Sequence, residues 1–248
     1  MKPPVDSRFR VEILNATLAP QRTIWCAMHQ DYSEEFVFDE IAPEETKAGQ
    51  SLIKNLLTGS SGTGDKGHYG PLEHAQIVFN VGWFPHSVMQ QARTHRVGVS
   101  FDCQSFRYTS QRIIDVVTGA RDVEDVFYLR PLGFYTNRQG KKYEYTHDMR
   151  IIDVARACDA AGHYAHQIRQ GMAEEQARGL LPFDTRQHFV VSFSLRALLH
   201  FLDLRSKRDA QHEIQALFDL MWPHMQSWAP EIAEWYEKTR LHRARLAP

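Results

Sequence analysis

The apolar residues of this chain change their spacing along the sequence, and the change limits the folds that it can adopt. Between Ala75 and Trp83 they alternate with polar or small residues, a period of two that predicts a β-strand. Pro85 is expected to begin a short helix directly after this strand. From residue 151 onward, apolar residues recur at helical spacing instead. A strand region followed by a run of helices predicts an α+β fold.

The other predicted elements are helices separated by segments that break regular structure. A helix is predicted from Pro43 through Leu57, because proline and acidic residues in a first turn precede leucines at helical spacing. The further predicted helices are Ile151 to Arg178, Phe189 to Leu204, Ala210 to Gln226 and Glu231 to Leu241. A surface loop is predicted at residues 58–70, and irregular strands and loops are predicted at residues 115–148. A chain of 248 residues allows one large domain or two small ones. We favour a single domain over residues 1–248, because the strand that follows residues 58–70 begins at once and makes that segment a loop rather than a linker.

Composition and charge narrow the class of protein. The formal net charge is −1, which gives no overall attraction to nucleic acid or anionic lipid, so any anion site must be local. No apolar run is long enough to cross a bilayer, and the first ten residues lack the pattern of a secretory signal. The cysteines number only three. We therefore expect a soluble cytoplasmic protein with reduced thiols and with no membrane or nucleic-acid partner.

The stretch from Gln91 to Tyr108 holds three arginines, a histidine and several hydroxyl groups around Gly98. Arginine and hydroxyl groups donate hydrogen bonds to phosphate or to an electron-rich ring, and a glycine allows close approach of the backbone. Helix C-termini also favour cations. From the residues alone, an anion site and a solvated turn therefore fit this stretch equally well.

A second basic cluster begins at Arg178 and continues in the segment from Ser194 to Arg205. On a helix, Arg196 and His200 are four residues apart and share a face, beside a strongly apolar stripe. Basic side chains next to apolar ones suit a ligand with both a phosphate and a ring. A core helix that carries surface arginines gives the same pattern, so the cluster alone does not decide.

Metal sites and the common nucleotide motifs are not expected. His163 and His166 share a helix face but have no carboxylate motif nearby, and His212-Glu213 lacks a second histidine at position 216, where alanine stands. Neither the glycine-rich dinucleotide fingerprint nor the Walker A sequence occurs, so a flavin or nicotinamide would bind in another fold.

The stretch from His95 to Arg107 resembles the signature of flavin-dependent thymidylate synthases, which reads Arg-His-Arg, a spacer and Ser-x-Arg. In this chain, Thr94-His95-Arg96 occupies the position of Arg-His-Arg, and Ser105-Phe106-Arg107 occupies the position of Ser-x-Arg. Threonine replaces the first arginine, although Arg93 precedes it, and the spacer from Val97 to Gln104 is one residue longer than the common form.

Further segments extend the resemblance in the family's order. Residues 67–74 are similar to its His-x-Ser/Thr-x-x-Glu-His segment, with Gly70 in place of the hydroxyl residue. Residues 177–182 are similar to its Ala-Arg-x-x-Leu-Pro element and residues 195–205 to its Arg-x-Leu-x-x-Phe-Leu-x-Leu-Arg helix. Residues 210–214 match Ala-Gln-x-Glu-Ile. Ordered matches from 68 to 214 are far more specific than any one of them.

The resemblance implies a homotetramer of α+β subunits with FAD at the subunit interfaces. It implies reductive methylation of dUMP to dTMP, with 5,10-methylenetetrahydrofolate as the carbon donor and NADPH as the reductant of the flavin. The residues that it implies for FAD are His68, Glu73, Thr94, His95, Arg96, Ser194, Arg196 and His200. Those that it implies for dUMP are Gln91, Ser105, Arg107, Arg178 and Arg205.

Two residues are expected to act in catalysis on this resemblance. Arg205 is expected to stabilise negative charge that develops on O4 or O2 of uracil, and Ser105 is expected to position the substrate. A flavin oxidoreductase and an arginine-rich nucleotide- or RNA-binding module are the alternatives. The retained Arg107, Arg178 and Arg205 argue against the first, and the neutral net charge argues against the second.

Overall fold

A computed structural model describes residues 3–58, 69–137 and 139–243. The strands are β1 (Arg10–Ala16), β2 (Gln76–Pro85), β3 (Val99–Cys103), β4 (Gly133–Thr136), β5 (Lys142–Tyr145) and β6 (Arg186–Ser194). The helices are α1 (Pro20–Gln30), α2 (Glu45–Leu52), α3 (His86–Ala92), α4 (Phe106–Thr109), α5 (Gln111–Val117), α6 (His147–Arg169), α7 (Glu174–Ala177), α8 (Leu195–Arg205), α9 (His212–Trp228) and α10 (Pro230–Thr239). Short 3-10 turns lie at Val37–Asp39, Gly70–Glu73, Val123–Asp125 and Arg178–Leu180.

The strands form two sheets, and helices make up most of the remaining regular structure. The larger sheet has the order β1-β2-β6-β3, and β4 and β5 form an antiparallel hairpin in which Gly133 pairs with Tyr145. This mixture confirms the α+β class. No helix in the described part of the chain is long and apolar enough to cross a membrane.

The predicted helix from Phe189 to Leu204 is wrong over its first six residues, because β6 runs to Ser194. Phe189, Val191 and Phe193 are buried, whereas the residues between them are partly exposed. This period of two, with β-branched and aromatic side chains, favours a strand. The helix α8 begins only at Leu195, where the Ser194 hydroxyl accepts a hydrogen bond from Ala197 N and caps the first turn.

The predicted helix from Ile151 to Arg178 is also wrong at its end. Helix α6 ends at Arg169, and Gly171 follows with φ +84°, in the left-handed region that glycine adopts without a steric penalty. Met172 N donates to Gln167 O and Gly171 N donates to Ile168 O, which is the hydrogen-bond pattern of a Schellman cap. Residues 174–177 therefore form the separate short helix α7.

Several other sequence predictions are confirmed. Strand β2 and helix α3 lie where the alternation and Pro85 place them, and the Pro43 helix is α2, which continues as a π-helical turn, Ile53–Leu57. Helices α9 and α10 match their predicted segments, with Pro223 inside α9. The irregular region 115–148 contains the β4–β5 hairpin. Most of the predicted loop, residues 59–68, lies outside the described residues.

Contacts divide the chain into two compact units, each described by itself. The first unit comprises Met1–Arg10, Val81–Arg93 and Asp102–Phe189. Its apolar core lies between α5 and α6, around Ile113, Phe127 and Tyr164. Arg186 is fully buried in the same unit, where it pairs with Asp6 at 2.5 Å and donates to the carbonyl oxygens of Glu124 and Trp83. Each hydrogen-bonding side of this buried cation is thus satisfied.

The second unit comprises Val11–Asn80, Thr94–Phe101 and Val190–Pro248. Helix α2 packs against α1 and α10, and α8 packs against α9 and the Gly70–Glu73 turn. Gln21 of α1 is fully buried. Its backbone N–H donates a hydrogen bond to Glu45 of α2, and its side chain donates to Glu231 of α10. Packing against α9 and the Gly70–Glu73 turn positions α8, which carries Arg196 and His200 of the candidate site.

Candidate functional site

A cavity of ≈ 370 Å³ lies within the second unit; we call it the second-unit pocket. Its lining residues are Glu73, Thr94, His95, Arg96, Val97, Val99, Ser194, Arg196, Ala197 and His200. Seven of these are residues that the family resemblance implies for the flavin. The eighth implied residue, His68, lies outside the described part of the chain. Segments separated by more than a hundred residues in sequence thus meet at one cavity.

Helix α8 presents two residues to the pocket from one face. Leu198, Leu199 and Phe201 are fully buried and anchor the apolar face of this helix in the core. Arg196 and His200, one turn apart, both line the pocket, as their spacing of four predicts. Burying the apolar stripe therefore fixes where these two polar side chains stand.

The loop of residues 94–98 brings His95 and Arg96 to the same pocket. Gly98 has φ +67°, and a Cβ on this residue would stand 2.5 Å from Ser194 Oγ. Ser194 N donates to Gly98 O at 2.9 Å, which ties the loop to the start of α8. The backbone at Gly98 thus closely approaches Ser194, and its close approach to a ligand stays a prediction.

His95 is the buried centre of this group, with an exposed fraction of 6%. Its ring meets those of His200 and Phe201 edge-on, with centroids 5.1 and 5.0 Å away. The pKa of His95 falls from its ordinary 6.5 to about 4, because burial disfavours the charged ring and Arg205 and His200 repel the added proton. His95 is therefore neutral at physiological pH.

Arg205 Nε donates a hydrogen bond to His95 Nε2 at 3.1 Å, and Arg205 Nη2 donates to Thr94 Oγ1 at 3.0 Å. Since Nε2 accepts, the proton of neutral His95 resides on Nδ1. This buried Nδ1 has no hydrogen-bond partner among the described residues, and the same holds for Nδ1 of His200. A ligand in the pocket could satisfy such an unpaired buried donor with one of its acceptor atoms.

Charge at the pocket is carried mainly by two arginines and one carboxylate. Arg196 Nη1 and Glu73 Oε1 are 2.8 Å apart, and each side chain is about one-third exposed (36% and 37%). Arg96 is exposed at the rim. Val97, Val99 and Ala197 add apolar surface. The donor set and the apolar wall together fit a flat ring with acceptor atoms and an attached anionic group.

The three apolar lining residues are those that sequence reasoning missed. Val97 and Val99 flank Gly98, and Ala197 follows Arg196, so each lies inside a motif already singled out. An apolar residue in a motif reads as packing, whereas ligand pockets are lined mostly by such side chains. The signal that could have identified them as pocket residues is their position between polar site residues.

The first unit holds four of the five residues implied for dUMP. Gln91 lies on α3, and the Ser105 hydroxyl caps α4 by accepting from Arg107 N at 3.4 Å. The Arg107 side chain is exposed, with Nε 3.5 Å from Glu175 Oε2. Arg178 is also exposed, directly after α7, and α7 packs against α4. The fifth residue, Arg205, belongs to the second unit.

Comparison with known proteins agrees with the motifs. The family model described as thymidylate synthase complementing protein matches residues 12–231. The flavin-dependent thymidylate synthase of Haloarcula marismortui is 34% identical, over 96% of this chain and 99% of the relative. That of Halobacterium salinarum is 30% identical, over 96% and 100%.

The fold has a solved counterpart. The crystal structure of a UMP/dUMP methylase, PolB from Streptomyces cacaoi, bound with 5-Br dUMP, superposes with a TM-score of 0.69. It covers 100% of both chains at 22% identity, which establishes similarity of fold. Together with the nearly full-length sequence matches, these findings show that the chain belongs to the flavin-dependent thymidylate synthase family.

Proposed function

We propose that this protein converts dUMP to dTMP, with methylenetetrahydrofolate as the carbon donor and with FAD, reduced by NADPH, as the source of hydride. The observation that carries the proposal is the second-unit pocket, where all seven described residues implied for the flavin line one cavity. Relatives at 30% and 34% identity, named flavin-dependent thymidylate synthases, support the same activity.

The residues of the second-unit pocket would hold the flavin. Arg196 and Arg96 supply cations for its phosphates, and Nδ1–H of His95 is a buried donor in need of an acceptor. The apolar surface of Val97 and Val99 suits a ring. Once bound, the flavin supplies the hydride that completes the new methyl group.

Arg205 is our choice for the residue that activates the uracil ring. Making C5 nucleophilic without a covalent enzyme adduct requires stabilising negative charge on O4 or O2, and a fixed cation does this best where water is excluded. Arg205 is half-buried, and burial lowers its pKa, yet a guanidinium stays protonated in proteins. It therefore keeps a full positive charge next to His95 and Thr94, which line the pocket.

The first-unit residues would bind the nucleotide. Arg107 and Arg178 are exposed cations with the planar fork that suits a phosphate, and Gln91 can hydrogen-bond the base. The Ser105 hydroxyl caps the helix that carries Arg107, so we assign it a positioning role rather than that of a nucleophile. Holding the reactants in register is itself a large part of such catalysis.

We further propose a homotetramer in which each active site combines residues from several chains, with FAD at the subunit interfaces. The family resemblance supports this assembly. Light scattering of the purified protein would test it: a mass near four chains of 28.7 kDa is expected, and a stable monomer that retains full activity would contradict it.

An absorbance experiment tests the function. The purified protein is loaded with FAD, its visible spectrum is recorded, and dUMP is added in steps, followed by methylenetetrahydrofolate and NADPH. Flavin bands that shift with dUMP, followed by dTMP formation, are expected. Flavin bands that ignore dUMP would support a flavin oxidoreductase instead, and a protein that takes up no FAD would leave a nucleotide- or RNA-binding module.

A further inference from the structure

The side chain of Arg205 is held from one side by two neighbouring residues. Its Nε and Nη2 lie on the same edge of the guanidinium, and this edge donates to His95 Nε2 at 3.1 Å and to Thr94 Oγ1 at 3.0 Å. Two bonds to one planar edge fix both the position and the tilt of the group. Arg205 is the last residue of α8, where its long side chain would otherwise sample many rotamers.

Both of these acceptors are uncharged. Thr94 offers a hydroxyl oxygen, and His95 accepts through Nε2, which requires the neutral ring. A carboxylate at either place would hold the guanidinium but offset its positive charge. Uncharged acceptors such as these two orient a cation without offsetting its charge.

Position 94 is also where this chain departs from the family signature, which has arginine there. An arginine has no acceptor atom and could not receive the N–H of Arg205. We propose that Thr94 is a positioning residue for Arg205, acting with His95 to aim its guanidinium at the pyrimidine. This inference rests on the proposed dUMP methylation, and it gives Thr94 a role apart from any contact with the flavin.

The test compares Thr94→Val, which removes the hydroxyl at nearly constant volume, with Thr94→Ser, which keeps it. Thr94 is exposed, so neither change should affect folding. Thr118→Val is the matched control, because Thr118 is an exposed threonine whose hydroxyl makes a local hydrogen bond to Asp115 O. The FAD content of each variant is measured from its visible spectrum.

In steady-state assays of dTMP formation, Thr94→Val should lower kcat about tenfold with a smaller change in the KM for dUMP. Thr94→Ser should restore most of the kcat that Thr94→Val loses, and Thr118→Val should stay within about threefold of the parent protein. A double-mutant cycle with Arg205→Ala sharpens this. If Thr94 acts through Arg205, then Thr94→Val should have no further effect once Arg205 is alanine.

A second readout does not depend on activity. In ¹⁵N–¹H spectra of the protein without flavin, the Arg205 Nη2–H signal, assigned by its loss in Arg205→Lys, should exchange slowly with water, because Nη2 donates to Thr94 Oγ1. It should exchange faster in Thr94→Val and remain slow in Thr94→Ser. Unchanged exchange in Thr94→Val would overturn the proposed hold on Arg205, whether or not the protein makes dTMP.

The kinetic outcomes separate this inference from the proposed function. A parent protein that makes no dTMP contradicts the function, whereas the exchange measurement still tests the contact. An active parent overturns the inference if Thr94→Val keeps full kcat, if Thr94→Ser is as poor as Thr94→Val, if Thr118→Val is equally impaired, or if the loss tracks loss of FAD.

Discussion

The residues implied for the flavin and those implied for the nucleotide stand in different surroundings. Among the flavin residues of the second-unit pocket, Arg196 pairs with Glu73. Thr94 and His95 of the same pocket accept hydrogen bonds from Arg205, a residue implied for dUMP that belongs to the same unit. In the first unit, Arg107 and Arg178 are exposed, and the partner of Arg107 is a surface carboxylate 3.5 Å away. Surface ion pairs of this kind contribute little to stability. Contacts within the second unit therefore hold the flavin residues, whereas Arg107 and Arg178 lie on the surface of the first unit.

The difference follows from the elements that carry each set. The pocket side chains stand on α8, whose apolar face is buried, and on a loop tied to it through Gly98 and Ser194. Arg107 lies on the four-residue helix α4, and Arg178 lies in a single 3-10 turn. Short exposed elements fix side chains less firmly than long buried ones do. Substitutions in the two sets should therefore differ in kind.

The largest effect is expected from Arg205→Ala. Loss of the cation should lower kcat for dTMP formation by about 100-fold or more, whereas FAD still co-purifies, because the pocket-lining residues are intact. Arg208→Ala, three residues along and exposed, is the control. Turnover by Arg205→Ala at the rate of this control would remove Arg205 from the mechanism.

Gly98→Ala should damage the second-unit pocket itself. A left-handed φ of +67° and a Cβ 2.5 Å from Ser194 Oγ should together cost about 2–4 kcal/mol of unfolding free energy and weaken FAD binding. Gly119→Ala is the matched control, because Gly119 has φ +74° but a Cβ added there would meet nothing within 4 Å. It should cost about 1–2 kcal/mol by strain alone. Equal losses in urea denaturation would show that the contact with Ser194 is unimportant.

Arg107→Ala and Arg178→Ala should separate binding from folding. Each should raise the dissociation constant for dUMP about tenfold, measured by calorimetry on the FAD-loaded protein, because one phosphate or ring contact is lost. Their unfolding free energies should change by less than about 0.5 kcal/mol, as for other exposed residues. Arg22→Ala, an exposed arginine outside both sets, is the control. A large loss of stability without a loss of dUMP affinity would contradict the expected difference between the dUMP residues and the flavin residues.

The smallest effect is the pH dependence caused by His95. Its pKa is about 4 in the folded protein and near 6.5 in the unfolded chain, so the unfolded state binds the proton first as pH falls. This residue should therefore reduce stability between pH 6.5 and 4, by about 1 kcal/mol from pH 7 to 5.5. Histidine NMR titration and urea denaturation, with His95→Asn as reference, measure both values. A pKa of 6.5 for His95 would mean that the pocket is well hydrated.

Much of the second-unit pocket could be predicted from sequence because its residues lie in local motifs. Arg196 and His200 are spaced for one helix face, and Thr94, His95 and Arg96 are consecutive. Family motifs supplied the rest of that set, and their grouping in one cavity is a structural finding. The roles of these residues remain predictions. Arg178 and Arg205 are far apart in sequence, so no local spacing predicts whether they serve one site.

The errors in the fold have physical causes. The strand that ends at Ser194 continues directly into the helix that starts at Leu195, with no glycine or proline between them, so nothing in the sequence marks the change of structure. Arg186 appears exposed by residue type, yet it is fully buried, because Asp6 and two carbonyl groups satisfy it from distant parts of the chain. Such long-range compensation cannot be inferred from neighbouring residues.

A crystal structure of the protein with FAD and dUMP would test the central claim most directly. The isoalloxazine ring should lie against Val97 and Val99 beside His95, with the pyrimidine stacked on it and the Arg205 guanidinium at O4 or O2 of uracil. A flavin bound away from the second-unit pocket, or a pyrimidine out of reach of Arg205, would contradict it.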